Sequence, residues 1–125
     1  MLTQQRPVHL DLTRMKFPPM AIVSIMHRIS GVLLFLLLPF VLYIFSSSLH
    51  SQESFDELQI FLVLPVTKLF LWLLLSAAAF HLFAGVRHMM MDCGAGEGLF
   101  VARKTAYLIF ILEVVAMIAA GVWLW

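Results

Sequence analysis

The chain has 125 residues, of which 62% are hydrophobic and 12% charged, with a net charge of +1. Soluble domains carry about 25% charged residues, so this composition excludes an ordinary soluble enzyme, and the near-zero net charge provides no basic field for nucleic acid. The single Cys93 excludes an internal disulfide.

The N-terminal segment, MLTQQRPVHLDLTRMKFPPM, is polar and shows no signal-peptide pattern. The first apolar run, Ala21 to Leu49, follows Pro18 and Pro19, where proline suits a helix start. Pro39 lies inside that run and predicts a kink. Ser46-Ser47-Ser48 predicts the start of a polar loop reaching about Leu58, and Leu58–Leu64 predicts a segment lying along the membrane interface. Pro65 marks the next helix start, which carries the apolar run Leu69 to Met91. CGAGEG at Cys93–Gly98 ends it, because glycines terminate helices and permit turns. Thr105 to Trp125 is the third run. Each run meets the ~20 residues needed to cross a ~30 Å hydrocarbon core. The predicted class is an all-α integral membrane protein with three transmembrane helices, spanning about 21–49, 66–91 and 105–125. Residues 1–20 form a cytoplasmic tail, and 21–125 form one anchor domain.

Charge asymmetry sets the expected orientation. Arg6, Arg14, Lys16 and Arg28 lie at the N-terminal side of the first span, and Arg87, Arg103 and Lys104 flank the second loop. The first loop holds Glu53, Asp56 and Glu57 and no cation before Lys68. The positive-inside rule then places the N-terminus and the second loop in the cytoplasm, or in its mitochondrial matrix equivalent. Trp123 and Trp125 fall at the outer interface, and the polar ends of the first two spans share one leaflet.

Two polar stripes can face each other in that leaflet. At ~100° per residue, His81, Gly85, His88 and Asp92 fall within about 60° of one helix face. Ser24, His27, Arg28 and Gly31 recur at helical spacing on the first span. Ionisable residues at membrane depth usually face a cofactor, a cavity or a partner. His81 lies near mid-membrane, where an imidazole can be an axial haem ligand or can simply hydrogen-bond a neighbouring helix. Gly85, one turn on, leaves room for a flat macrocycle and equally serves plain helix packing.

The other polar residues leave alternatives open. His27 and Arg28 can hold haem propionates, since guanidinium binds carboxylate bidentately. Arg28 with a serine hydroxyl can instead polarise a quinone carbonyl, and both cations can be a positive-inside cluster. Arg87 can snorkel to headgroups, and Asp92 can end its helix in water. Met89-Met90-Met91 point in three directions and read as apolar lining, not a copper site. Glu113 lies about 12 Å into the third span and needs a proton or a partner chain to neutralise it. Cys93 reads as an inert thiol; His9 and His50 lie outside the spans.

These residues coincide with a known pattern. The chain resembles the cytochrome b membrane-anchor subunit of succinate dehydrogenase, the respiratory complex II, of proteobacterial type. The carrying segments are RPVHLDL at Arg6–Leu12, FPPMAIVSIMHRISG at Phe17–Gly31 and HLFAGVRHMMMDCG at His81–Gly94. Ser24, Ile25, His27, Arg28, Ser30 and Gly31 meet S-I-x-H-R-x-[ST]-G, while His81, Gly85, Arg87, His88 and Asp92 meet H-x3-G-x-R-H-x3-D. The resemblance implies that His81 is one axial ligand of a haem b shared with a second small membrane-anchor subunit. His27, Arg28 and His88 would surround the haem and its propionates, and Ser24 and Arg28 would form part of a ubiquinone site near an iron–sulfur subunit. Succinate oxidation would take place on the flavin of a separate flavoprotein subunit. The implied location is the bacterial inner membrane, with an electron-transport role in the tricarboxylic acid cycle. Glu113 departs from the pattern, where a neutral residue is expected. The rival readings are a quinol:fumarate reductase anchor, a small transporter subunit and a scaffold without a redox centre.

Overall fold

A computed structural model describes residues 16–125; Arg6–Leu12, His9 and Arg14 lie outside them. The described residues form four helices and no strand: α1 Pro19–His50, α2 Gln52–Val63, α3 Pro65–Asp92 and α4 Leu99–Leu124. Of these, α1, α3 and α4 are long and apolar enough to cross a membrane.

Local chemistry explains the boundaries. Pro19 and Pro65 open α1 and α3 at positions where the missing N–H costs nothing. α1 continues through Pro39 and, contrary to the expected loop, through Ser46–Ser48 to His50. Serine hydroxyls can satisfy a preceding turn's carbonyl, and Ser48 Oγ–H donates to the Phe45 carbonyl at 2.7 Å. The rest of the predicted loop is α2, capped by Ser51, whose hydroxyl oxygen accepts from Ser54 N–H at 3.1 Å. After α3 the chain reverses through Gly94 and Gly96, with φ of 81° and 82°, conformations that glycine adopts without a Cβ penalty. Gly94 N–H donates to the Met91 carbonyl and Ala95 N–H to the Met90 carbonyl, both at 2.9 Å, satisfying the helix end. α4 begins six residues before the apolar run, because Arg103 and Lys104 interrupt apolarity without interrupting the helix. Lys104 instead lies over the Phe100 ring at 4.2 Å.

α3 packs against both α1 and α4. The core is small: Val23, Phe80, Ala84, Ala106 and Ile109, flanked by Met20, Phe83 and Phe110. Most large apolar side chains point outward, Phe35 and Val122 being over 70% exposed. Lipid removes the hydrophobic drive between helices, so close packing of small residues and interhelical hydrogen bonds must hold them. Ala84 and Ala106 provide the first. Trp72 Nε1–H donates to the Met117 carbonyl at 2.8 Å, joining α3 to α4 at one end. Arg87 joins the same helices at the other end.

Candidate functional site

The α1–α3 contact brings three histidines into one stack. His27 of α1 lies between His81 and His88 of α3, with ring centroids 4.1 and 5.1 Å away and planes within 16° and 18°. A separation of seven residues is two helical turns, so His81 and His88 share the face that meets His27. His81 lies 11 residues before the end of α3 at Asp92, about 17 Å at 1.5 Å per residue. His88 lies one turn from that end.

Hydrogen bonding fixes the tautomers. His81 Nδ1 is 3.2 Å from the His27 carbonyl, which can only accept, so Nδ1 carries the proton. Ser30 Oγ–H donates to the same carbonyl at 2.8 Å, and its oxygen, 3.1 Å from Nδ1, is left to accept from His81. Nε2 of His81 therefore keeps its lone pair. His88 Nδ1–H donates to the Ala84 carbonyl of its own helix at 2.7 Å. His81 is thus anchored across the helix interface, His88 within α3.

Two glycines make the stack possible. A Cβ at Gly31 would come within 2.9 Å of His81 Cε1, and one at Gly85 within 3.2 Å of His27 Nε2. Gly85 therefore accommodates His27, and the glycine against His81 is Gly31 of the α1 stripe. His81 has one ring nitrogen tied to α1 and the other left with its lone pair, which fits a group that would take a single imidazole nitrogen from this chain, as a haem iron does.

The other predicted residues distribute unevenly. Ser24 is half-buried one turn before His27, whereas Arg28 is exposed. Arg28 borders a shallow apolar hollow on the outer face of α1 with Ile29, Val32, Leu33 and Leu36. Asp92 is exposed at the end of α3. Arg87 does not reach outward to headgroups: it is buried, Nε–H donating to Thr105 Oγ1 and Nη2–H to the Ala102 carbonyl, both at 3.1 Å. It clamps α3 to α4 because its five donors can serve several acceptors on one facing turn. Met90 and Met91 line an open apolar groove of about 600 Å³ between these helices. Glu113 is half-buried, and its Oε2 has no hydrogen-bond partner among the described residues.

Sequence reasoning gave Ser30, Gly31 and Thr105 no individual task. Ser30 and Gly31 stood inside a recognised motif, but their spacing from His27 does not reveal that His81 meets both. Thr105 marked only the start of an apolar run, and its pairing with Arg87 depends on the turn between α3 and α4.

Comparison with known proteins covers nearly the whole chain. Residues 3–120 match the family described as succinate dehydrogenase/fumarate reductase transmembrane subunit. The succinate dehydrogenase cytochrome b556 subunit of Coxiella burnetii (strain RSA 493 / Nine Mile phase I) is 48% identical over 125 residues, covering 99% of this chain and 100% of that protein.

Proposed function

The chain belongs to the succinate dehydrogenase/fumarate reductase transmembrane subunit family, as a membrane subunit of an oxidoreductase complex and not its catalytic polypeptide; from that premise we propose that it anchors a succinate:ubiquinone oxidoreductase, holding one side of a haem b and part of the ubiquinone site. The observation that carries the haem assignment is the state of His81. Its Nδ1–H is committed to α1, its Nε2 keeps the lone pair, and it lies near mid-helix. Ligating histidines characteristically donate their second nitrogen in this way.

A haem held there supplies one-electron storage within the membrane. His81 would hold the iron from this chain, and another small membrane subunit would supply the other protein ligand. His27 stacks on the ligand ring and His88 stacks on the far side of His27, and Arg28 supplies charge for the propionates. Ser24 and Arg28, one turn apart on α1, also offer a hydroxyl and a guanidinium to a quinone carbonyl. Donors of this kind stabilise the negative charge that develops on the carbonyl oxygens during reduction. Succinate is oxidised in a flavoprotein subunit, and an iron–sulfur subunit docks at the cytoplasmic face, beside the N-terminal end of α1. The setting is the bacterial inner membrane, with the N-terminus in the cytoplasm.

Purification in mild detergent tests this reading. The expected preparation contains a flavoprotein and an iron–sulfur subunit and shows a b-type band in its reduced-minus-oxidised spectrum. A preparation with neither contradicts it.

A further inference from the structure

We propose that Ser30 is a positioning residue for the His81 ligand: its hydroxyl, with the His27 carbonyl and the open backbone at Gly31, fixes the tautomer and direction of the ring. This inference rests on the assignment of His81 as an iron ligand and adds the device that holds it.

Ser30 is buried, 8% exposed, on the α1 face that meets α3. A serine in an apolar helix ordinarily donates to a carbonyl of the preceding turn and does nothing else. Ser30 makes that bond, to the His27 carbonyl at 2.8 Å, but its oxygen also lies 3.1 Å from His81 Nδ1, 51 residues away in sequence. The first bond orients the hydroxyl so that a lone pair remains for the second. The His27 carbonyl receives both Ser30 Oγ–H and His81 Nδ1–H. Three groups are thereby tied together, and one of them is the candidate ligand.

Gly31, the next residue, supplies the space. The Cε1 edge of His81 comes so close to the α1 backbone that a Cβ would lie 2.9 Å from it. The ring is therefore held at its Nδ1 corner by Ser30 and the His27 carbonyl, along its edge by Gly31, and on one face by His27 at 4.1 Å. Its Nε2 is the nitrogen that these hydrogen bonds leave to iron. Outer-sphere partners of ligating histidines typically change metal affinity by 10–100-fold when removed.

The test uses the assembled complex carrying Ser30→Ala, Ser30→Thr and Ser30→Cys. Haem content after prolonged detergent exchange and the low-spin EPR line shape of the oxidised complex are measured. Ser30→Ala should lose haem about tenfold more readily and show a shifted or broadened signal, because a less restrained ring samples more orientations. Ser30→Thr, which keeps the hydroxyl, should restore both. Ser30→Cys, a weak hydrogen-bonding partner of similar size, should behave like Ser30→Ala and carries the test if the alanine variant does not assemble. Parental haem retention and line shape in Ser30→Ala, or in Ser30→Cys where alanine fails, overturn the proposal, since a serine serving only its own helix would leave both unchanged. A His81→Ala arm separates the two claims: parental haem there overturns the ligand assignment, whatever Ser30 does.

Discussion

Gly31→Ala should displace the His81 ring although it adds only one methyl group. The new Cβ would lie 2.9 Å from His81 Cε1 and 3.4 Å from Nδ1. Carbon–carbon contacts become comfortable at about 3.5 Å, so the ring must withdraw from α1 by about 0.6 Å. Both hydrogen-bond partners of Nδ1 are on α1, at 3.1 and 3.2 Å. Withdrawal lengthens both beyond about 3.5 Å, where they cease to count as hydrogen bonds. Two such bonds contribute about 0.5–1.5 kcal/mol each. Alanine recovers about 1 kcal/mol of helix propensity, so the steric loss wins by up to about 2 kcal/mol. At 1.4 kcal/mol per tenfold, haem retention should fall by roughly tenfold. The assay is the haem-to-protein ratio of the purified complex, together with its EPR line shape. A Gly31→Ala complex with parental haem stoichiometry and line shape would refute the close-approach argument.

Three further outcomes are expected. In intact cells an impermeant thiol reagent should label Ser51→Cys in a Cys93→Ser background and leave the native, exposed Cys93 unlabelled until the membrane is permeabilised; the reverse pattern inverts the orientation. Ser24→Ala and Arg28→Leu should slow quinone reduction while sparing succinate oxidation with a soluble artificial acceptor. Loss of one such donor costs ~2.7–4 kcal/mol in a dry site and less where water enters, and parental quinone rates in both variants reduce these residues to packing and charge features. Arg87→Met should loosen the α3–α4 contact, seen as earlier thermal dissociation of the complex, because it removes bonds to Thr105 and the Ala102 carbonyl; an unchanged transition shows that apolar packing replaces the clamp.

The spans were legible because apolar length is a direct requirement of the bilayer. The histidine stripe was legible because helical periodicity places His81 and His88 on one face before any fold is known. Ser46–Ser48 misled because serine is read as a loop former, whereas its hydroxyl can serve the helix it ends. The early start of α4 was hidden by Arg103 and Lys104, whose charges lower apolarity but not helicity. Arg87 was undecidable, since snorkelling and interhelical bonding use the same residue at the same depth, and only the facing turn of α4 separates them. The contacts of Ser30 and Gly31 with His81 depend on how two helices approach, which no single-helix pattern records.

The central claim is that His81, and not its stacked neighbours, binds iron. The direct measurement is the reduced-minus-oxidised spectrum and haem content of assembled complexes carrying His81→Ala or His88→Ala. His81→Ala should weaken or shift the b-type band, since little water reaches mid-membrane to replace the ligand, whereas His88→Ala, one turn from the end of α3, should retain it. A parental spectrum in His81→Ala, or loss of the band in His88→Ala alone, contradicts the account.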